Sequence, residues 1–479
     1  MRFYETSPVH DLTYSDVFLV PSRSAVGSRL DVSLAPLDGT AATIPIVSAN
    51  MNSVTGARLA ATLARRGGLG VLPQDMHGQD LNAAIRWVKQ QPVAFDAALD
   101  LRPEETVASA LTLLPAVEGH GIVLHDERGA FLGVIPAERL AIALPGARLG
   151  DLLGGQLTSL DIDELEGPRA AFDLMVAAGI QFAPVLHDGK VVGTLSRKGA
   201  LRSTLYQPAL DAQGRLSVAA AVGINGDVAG KARALVEAGA DVIVIDTAHG
   251  HQDGMVRAIA AVAALDFGVP IVAGNVVTTA AVTDLVGAGA TIIKVGVGPG
   301  AMCTTRMMTA VGRPQFSAVL ETAEAARALG AHVWADGGVR YPRDVALALA
   351  AGAASVMIGS WFAGTIEAPG MLAVDENGRA YKESWGMAST KAVRERFDKL
   401  DAYELARKTL FAEGISSSKI YLDPLRPSLE DLLDMITSGV RSSLSYAGAT
   451  TLAEFHERAL VGTQSAAGYE EGKALPVSW

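Results

Sequence analysis

Three segments of the chain share one pattern: EAGADVIVID at 237–246, GAGATIIKVG at 287–296 and AAGAASVMIG at 350–359. In each, a helix-like stretch ends at a glycine and a run of small and β-branched residues follows. Glycine suits the end of a helix because it adopts a positive φ without strain. An apolar run directly after it is typical of a parallel strand that is buried on both faces. The pattern therefore predicts repeated helix–strand units around a parallel sheet.

Five further β-branched runs end in Gly, Asn, Asp or Ser, which gives eight predicted strands. The eight strands are expected at 44–49, 68–72, 218–223, 241–246, 270–274, 291–296, 332–336 and 355–359. Apolar residues at helical spacing lie between them, for example at 79–90, 228–238, 279–288 and 342–350. Eight such units fit an α/β fold of the (β/α)8 TIM-barrel type better than an open doubly wound sheet. A dinucleotide-binding sheet would also need G-x-G-x-x-G, whereas Gly296, Gly298 and Gly300 are spaced G-x-G-x-G.

The second and third predicted strands are too far apart for one crossover helix, so the stretch between them contains an insertion. Within it, LHDERGAFLGVIPAERL at 124–140 is echoed by LHDGKVVGTLSRKGAL at 186–201. Each copy indicates a strand, a turn, a second strand and the start of a helix. Two copies of one small unit predict a pseudo-symmetric pair that buries a shared interface.

The second copy, together with the residues before it (171–201), resembles a CBS unit. We therefore expect a tandem CBS domain at 93–203, with repeats at about 93–150 and 151–203. The catalytic barrel is expected at 1–92 and 204–479. Such pairs often bind adenine or guanine nucleotides, and a purely structural insertion is the alternative. A polar stretch at about 375–423 follows the last predicted strand and is expected to be a lid or disordered. Helices are expected after it at 429–440 and 451–460.

The composition limits the classes of function. Hydrophobic residues make up 49% of the chain and charged residues 19%, which is typical of a globular protein. The net charge of −11 repels polyphosphate, so a nucleic-acid partner is not expected. No apolar run reaches the roughly 18–20 residues that span a bilayer, and the first ten residues lack the apolar core of a signal peptide. The single cysteine excludes an internal disulfide framework. These features predict a cytoplasmic protein without a membrane partner.

In barrels of this kind the active site lies at the C-terminal ends of the strands. Asp336 directly follows the predicted strand HVWA, so its carboxylate is expected in the mouth, where it can accept hydrogen bonds from a ribose diol. Capping of the next helix is the alternative. Gly337-Gly338 and Gly359-Ser360 end strands seven and eight, where backbone N–H groups can approach a phosphate because glycine has no Cβ. Asp246 ends another strand and is expected to bind cofactor hydroxyls.

Cys303 lies just beyond the sixth predicted strand, in VGVGPGAMCTTR at 295–306. A lone cysteine is more often an inert buried residue. This one, however, lies in a glycine-rich loop at the barrel mouth and is followed by two threonines and an arginine. A thiolate is a good nucleophile at neutral pH, and nearby positive charge or dipoles stabilise it. The carbonyls of Gly298, Gly300 and Cys303 could also converge on a monovalent cation.

These residues lie in motifs that resemble the IMP dehydrogenase/GMP reductase family across essentially the whole chain. The motifs occur in the family's order: LTYSDVFLVPSRS (12–24), DTAHGH (246–251), AGNVVT (273–278), KVGVGPGAMCTTR (294–306), ADGGVRY (335–341), VMIGS (356–360) and FAEGI (411–415). The resemblance implies that Cys303 attacks C2 of a purine nucleotide to form a thioimidate, while a hydride passes between C2 and a nicotinamide. It also implies potassium at the carbonyls of Gly298, Gly300 and Cys303.

The resemblance further implies two ligand subsites. The substrate is expected at Ser48, Asn50, Asp336, Gly337, Gly338, Gly359, Ser360, Gly386, Met387, Ala388, Glu413 and Gly414. The cofactor is expected at Asp246, Thr247, Ala248, Asn275, Gly296, Val297 and Gly298. Ala301 stands where the family has a serine that contacts the phosphate, which leaves that contact open.

The motifs divide between the two reactions of the family. Four features favour the reductase: SANM at 48–51, AGNVVT, Thr309 and PQFSAV at 314–319. Three features favour the dehydrogenase: the CBS pair, DTAHGH and Arg396-Phe397. Phe397, however, lacks the hydroxyl of the tyrosine that stands in the dehydrogenase flap. The reductase's catalytic glutamate is also missing, because Thr390 occupies its position in GMAST. The catalytic candidates are therefore Cys303, Thr305, Thr390 and Lys391.

We expect the reductase reaction, in which GMP and NADPH give IMP, ammonia and NADP. The dehydrogenase reaction, from IMP and NAD to XMP, is the first alternative. A catalytically weak nucleotide sensor that keeps the fold is the second. The mixture of motifs resembles the CBS-containing, IMP-dehydrogenase-related proteins of actinobacteria. The resemblance implies a tetramer, with an octamer as the alternative, and ATP or GTP as effectors at the CBS pair.

Overall fold

A computed structural model describes residues 1–4, 9–76, 78–154, 159–386, 389–391, 394, 401–410 and 417–474, the side chains of 78 and 79 aside. In these residues eight parallel strands close into a barrel in chain order, which confirms the predicted fold class. The strands are β1 (Ile46–Ser48), β2 (Leu69–Leu72), β3 (Val218–Val222), β4 (Val242–Asp246), β5 (Ile271–Val276), β6 (Ile292–Val295), β7 (His332–Asp336) and β8 (Ser355–Ile358). Strand β8 pairs with β1, and β2 pairs with β3 across the insertion.

Helices surround the barrel. They are α1 (Ala57–Arg65), α2 (Gly78–Gln90), α3 (Val228–Ala238), α4 (Asp253–Ala263), α5 (Thr279–Gly287), α6 (Gln315–Ala328), α7 (Pro342–Ala350) and α8 (Leu429–Tyr446). Helix α8 contacts both α7 and α1 and so completes the ring, although the polar stretch separates it from β8 in the chain. No helix among the described residues is long and apolar enough to cross a membrane.

The glycine in each of the three repeated segments has the backbone that the pattern requires. Gly239, Gly289 and Gly352 follow α3, α5 and α7 with φ of 109°, 115° and 111°. This left-handed conformation favours glycine, because a Cβ would clash with the following carbonyl. The glycine therefore ends the helix and turns the chain into the next strand.

The barrel interior is apolar and closed at its N-terminal end. Trp334 of β7 is fully buried there among valine, alanine and leucine side chains from the other strands. Its Nε1 donates to Asp38 Oδ2 at 2.7 Å, and Ser355 Oγ donates to the same oxygen at 3.1 Å. Asp38 thus satisfies both buried donors at the bottom of the barrel.

The insertion between α2 and β3 contains two three-stranded units. The first has strands Asp100–Leu101, Gly121–His125 and Phe131–Pro136 with helices Val107–Leu111 and Ala137–Ile142. The second has strands Leu160–Asp161, Phe182–His187 and Lys190–Ser196 with helices Pro168–Ala177 and Arg197–Leu205. In both units the first strand runs parallel to the second, and the third runs antiparallel to it.

Each unit has its own apolar core, and the two units touch. Phe182 of the second unit packs on Gly121 of the first so closely that a Cβ on Gly121 would lie 2.4 Å from its ring. The first core also includes Ile366, Leu372 and Leu422, which lie outside the insertion. The inserted lobe is therefore packed against the segment that follows β8.

The described residues of the polar stretch after β8 contain strands and a helix. Strands Ala373–Val374, Ala380–Ser384 and Ser418–Tyr421 form an antiparallel sheet, here called the flap sheet. Helix Ala402–Leu410 lies in the sequence between its second and third strands. Met387, Ala388, Arg396, Phe397, Glu413 and Gly414 lie outside the described residues.

The chain ends pair with each other. Leu460–Thr463 forms a strand between Arg2–Phe3 and Val17–Val20, so the helix expected at 451–460 is shorter, at Leu452–Arg458. Helix α8 is longer than expected and continues to Tyr446. The remaining short helices are Tyr14–Asp16, Arg29–Asp31, Leu149–Leu152, Ile162–Glu164, Thr305–Thr309, Ser360–Ala363 and Ala466–Glu471.

Candidate active site

A cavity of about 940 Å³ opens at the C-terminal end of the barrel. This volume lies near the top of the range of roughly 300–1,000 Å³ that is typical of ligand sites. Fourteen residues predicted from the sequence line it: Asn50, Asp246, Thr247, Ala248, Asn275, Gly300, Cys303, Thr305, Asp336, Gly337, Gly338, Gly359, Ser360 and Gly386. The strand ends thus bring together residues that lie far apart in the chain.

Cys303 lies in the loop between β6 and the short helix Thr305–Thr309. It is exposed to the cavity, and its thiol donates to Thr305 Oγ1 at 3.2 Å. Its backbone N–H donates to the carbonyl of Gly300 at 3.0 Å, which folds the loop back on itself. An accessible thiol with a neighbouring hydroxyl is suited to nucleophilic chemistry.

Glycines let the Cys303 loop approach the end of β7. Gly337 and Gly338 have φ of 93° and 81°. A Cβ on Gly337 would lie 3.1 Å from the backbone nitrogen of Gly300. The two loops therefore meet backbone to backbone, and the thiol is placed beside the strand end that carries Asp336.

Five polar residues form the floor of the cavity: Asn50, Asp246, Asn275, Lys294 and Asp336, here called the floor network. Lys294 Nζ lies 2.8 Å from Asp246 Oδ1 and 2.7 Å from Asp336 Oδ2. Asn50 Nδ2 donates to Asp246 Oδ2 and Asn275 Nδ2 to Asp336 Oδ2, both at 3.0 Å. One ammonium thus bridges two carboxylates, and each carboxylate also accepts from an asparagine.

Lys294 was not predicted as a site residue. Its side chain is only 4% exposed, and a Cβ on Gly274 of the neighbouring strand would lie 2.7 Å from Lys294 Cβ. Burial opposes the charge, but Asp246 and Asp336 outweigh it and raise the pKa of Lys294 above its ordinary value. The signal for it in the sequence was a single lysine inside the apolar run TIIKVG.

A second set of hydrogen bonds joins the ends of β6 and β7. Gln315 Nε2 donates to the carbonyls of Val295 at 2.8 Å and Asp336 at 3.1 Å, and Asn275 Nδ2 donates to the carbonyl of Gly296 at 2.6 Å. A Cβ on Gly296 would lie 2.0 Å from the Asp336 carbonyl, so no larger residue fits there. Within the described residues the buried Oδ1 of Asn275 accepts no hydrogen bond, which leaves it for a ligand donor.

Several predicted residues lie away from the cavity surface. Ser48 is fully buried and accepts from Thr55 Oγ1 at 2.8 Å. Gly296, Val297, Gly298 and Thr390 are likewise not among the residues that line the cavity. Lys391 pairs with Glu383 Oε2 at 3.1 Å and lies over the ring of Trp385. In this conformation Lys391 does not reach Cys303.

The cavity also has an arm that the sequence interpretation missed. Residues at the ends of β2 and β3 and on α2 and α3 line it: Gln74, Asp75, Met76, Leu81, Asn82, Gly223, Ile224, Asn225 and Lys231. The strand-end rule that located Asp246 and Asp336 also applies to these strands. The residues at the ends of β2 and β3 were not predicted, because they lie in no recognisable motif.

Known proteins share both the fold and the site motifs. The chain matches the IMP dehydrogenase / GMP reductase domain over residues 11–474. It is 52% identical to the GMP reductase of Mycobacterium tuberculosis over 481 residues, which covers 100% of each chain. It is 35% identical to the inosine-5'-monophosphate dehydrogenase of Aquifex aeolicus over 473 residues, which covers 96% of this chain and 94% of that one.

Among solved structures, the chain resembles a GMP reductase variant of Trypanosoma brucei in complex with guanosine 5'-monophosphate. The TM-score is 0.68 and the identity 31%, over 98% of this chain and 99% of that one. The motifs, the closed barrel and these matches lead to one assignment. The chain belongs to the IMP dehydrogenase/GMP reductase family.

Proposed function

We propose that this chain is a GMP reductase, an oxidoreductase of purine salvage that converts GMP and NADPH to IMP, ammonia and NADP. The observation that carries the proposal is the 52% identity over the full length to a GMP reductase. The accessible thiol of Cys303 at the mouth of the barrel supports it, because the reaction needs a nucleophile beside a nucleotide pocket.

The covalent steps use Cys303. Its thiolate attacks C2 of GMP, and the exocyclic amine takes up a proton and leaves as ammonia. C2 of the resulting thioimidate then accepts a hydride, the bond between C2 and Sγ breaks, and IMP is released with the thiolate restored. Bound NADPH supplies the hydride. Thr305, already in contact with Sγ, is a candidate to move the proton, with Thr390 and Lys391 as the others.

The substrate and the cofactor share the cavity. Asp336 accepts from the ribose hydroxyls of GMP, and its Oδ1 carries no hydrogen bond within the described residues. The phosphate is held by Gly337, Gly338, Gly359 and Ser360. The substrate site is completed by Asn50, Gly386, Met387, Ala388, Glu413 and Gly414, whereas the buried Ser48 does not line the cavity. The cofactor lies along Asp246, Thr247, Ala248, Asn275 and the 296–298 stretch.

A potassium ion is proposed at the Cys303 loop, at the carbonyls of Gly298, Gly300 and Cys303. Carbonyl oxygens suit such a cation, although the Gly300 carbonyl already accepts the N–H of Cys303 and has only its second lone pair to offer. If the ion holds the loop, replacing potassium by a much larger organic cation should lower the rate. An unchanged rate would mean that protein contacts alone hold the loop.

The experiment for the main proposal compares two assays by the absorbance of the nicotinamide. Purified protein is given GMP with NADPH, or IMP with NAD. We expect NADPH oxidation that depends on GMP, with IMP and ammonia formed in equal amounts. XMP formation at a comparable or higher rate would instead assign the dehydrogenase reaction of the 35% identical relatives.

The inserted lobe is proposed to be a tandem CBS domain at 93–203 that binds ATP or GTP. The two matching units support this, and the first unit corresponds to about 93–150 and the second to 151–203. Helix Arg197–Leu205 crosses the C-terminal bound. We also propose a cytoplasmic homo-oligomer, a tetramer or an octamer.

A further inference from the structure

Lys294 is the only cation that contacts either carboxylate of the floor network within the described residues. Its Nζ lies 2.8 Å from Asp246 and 2.7 Å from Asp336. The carboxylates themselves are about one fifth exposed, at 19% and 22%, whereas the lysine side chain is 4% exposed. The ammonium therefore lies beneath the two carboxylates, which face the cavity above it.

The position of the lysine in the barrel explains why one side chain can reach both partners. Lys294 is on β6, Asp246 on β4 and Asp336 on β7, and all three side chains point into the same end of the barrel. Gly274 on β5 leaves room for the lysine stem, since any Cβ there would lie 2.7 Å from Lys294 Cβ. The bridge is thus a built feature of four adjacent strands.

The positive charge of Lys294 offsets the repulsion between the two carboxylates. Two carboxylates at the partly buried floor of a cavity repel each other, and the repulsion is stronger there than in water. Removing the cation from a buried ion pair leaves an uncompensated charge, which is strongly unfavourable. Without Lys294 the two side chains would turn apart or take up a proton. Either change would spoil their hydrogen bonds to a ligand.

We propose that Lys294 is a positioning residue that fixes the substrate carboxylate Asp336 and the cofactor carboxylate Asp246 together. It acts through these two side chains and touches neither ligand. One residue therefore orients both the carboxylate that binds the substrate and the carboxylate that binds the cofactor. The ribose of the nucleotide and the nicotinamide are thereby held in a fixed position relative to each other. This inference rests on the proposed function for the identity of the two ligands.

The first variant is Lys294→Met, which keeps the length of the side chain and removes its charge. We expect the Kd for GMP, measured by equilibrium binding without NADPH, to rise by about tenfold or more. The KM for NADPH should rise by a similar factor, because misplacing a binding group by about 1 Å can cost as much as 100-fold. A residue that served one subsite only would change one constant and not the other.

A second variant separates positioning from folding. Lys294→Met combined with Asp246→Asn has one carboxylate and no cation, so the three groups keep their net charge of −1. We expect the Kd for GMP to return to within about threefold of the wild type, because Asp336 is no longer repelled and still accepts from Asn275. The KM for NADPH should stay high. A Kd for GMP that stays about tenfold above the wild type in this variant would contradict the proposal, whether or not the single variant folds.

The chain offers a matched control at the other end of the barrel. Lys89 is also buried and also bridges two carboxylates, Asp211 at 2.9 Å and Asp241 at 2.6 Å. Lys89→Met should lower the melting temperature and leave the Kd for GMP and the KM for NADPH within about twofold. If Lys294→Met changes ligand binding no more than this control does, the positioning role is wrong.

The two proposals fail in distinguishable ways. If the wild type shows no NADPH oxidation that depends on GMP, the proposed reaction fails. The comparison of GMP affinity still stands in that case, since it needs no turnover. If the wild type reacts as proposed and the Lys294→Met constants match the wild type, only the positioning role fails.

Discussion

At the scale of single residues, the site depends on a thiol that is both accessible and supported. Cys303 faces the cavity, and its loop is held by the hydrogen bond to Gly300 and by the close approach of Gly337. These contacts are made by the backbone and survive a change of the side chain. The shape of the loop and the reactivity of the thiol can therefore be tested separately.

Cys303→Ser is expected to lower kcat by about a thousandfold or more while leaving GMP binding within a few-fold of the wild type. Serine keeps the shape of cysteine, but its hydroxyl is a far poorer nucleophile at neutral pH. Single-turnover kinetics and equilibrium binding measure the two effects. Turnover near the wild-type rate would contradict a thioimidate at this residue.

The sequence located the residues that carry a recognisable motif or end a strand. Asp336, Asp246 and Cys303 were predicted because position in the strand and chemistry agreed, and all three line the cavity. Lys294 was missed because an isolated lysine inside an apolar strand indicates no partner. Only the closed barrel shows that β4, β6 and β7 bring it between two aspartates.

At the scale of elements, the flap sheet is tied to the barrel by a buried cation. Lys382 lies on its central strand and donates to the carbonyls of Ile366 at 3.2 Å and Ala368. Burial lowers the pKa of Lys382 to about 8, although the charge of Glu367 raises it. Near neutral pH the flap sheet therefore holds a charged lysine in surroundings that favour the neutral form.

This lysine predicts a pH dependence of stability. The folded pKa of about 8 is below the value of 10.5 for an unperturbed lysine. Between these values the unfolded chain binds more protons than the folded one, so the free energy of unfolding rises with pH. Relative to a Lys382→Met variant, the wild type should gain up to about 3 kcal/mol across this window. Urea unfolding of both proteins from pH 7.5 to pH 10 measures the gain, and a constant difference would contradict it.

The helix and strand pattern was predictable where neighbours in the sequence are neighbours in space. The glycine before β4, β6 and β8 marks the end of the preceding helix, and the other five barrel strands were found from their own β-branched runs. The strand Leu460–Thr463 was not predicted, and its first residue was assigned to the end of the helix expected at 451–460. Its partners are at the other end of the chain, Arg2–Phe3 and Val17–Val20, and local periodicity carries no information about them.

At the scale of the whole molecule, the inserted lobe makes an apolar and an ionic contact with the rest of the described chain. Its first unit shares an apolar core with Ile366, Leu372 and Leu422, and the backbone N–H of Leu372 donates to the carbonyl of Thr112 at 2.7 Å. Leu372 directly precedes the flap sheet, and Leu422 directly follows it. The first unit therefore contacts the base of the segment that carries Gly386 and Thr390.

The second contact is ionic and joins the end of the lobe to α8. Arg202 pairs with Glu430 at 3.0 Å and with Asp431 and Asp434 at 2.7 Å, and Arg66 of the barrel pairs with Glu430 at 2.6 Å. Burial opposes the charge of Glu430, but Arg66 and Arg202 outweigh it and hold the pKa of Glu430 below its ordinary value. These buried ion pairs fix the end of the lobe against α8.

A nucleotide bound to the lobe can alter catalysis only if it binds two arrangements of the lobe with different affinity. We expect ATP and GTP to change the rate of GMP-dependent NADPH oxidation in opposite senses, by up to the 5–150-fold that a coupling of about 1–3 kcal/mol allows.

Replacing 97–195 by a short linker tests whether these nucleotides act through the inserted lobe. Asp96 and Thr194 are paired, so the cut ends lie close together, and helix Arg197–Leu205 keeps its contact with α8. The shortened protein should retain turnover and lose the response, and a response that survives would mean that the nucleotide acts at the active site.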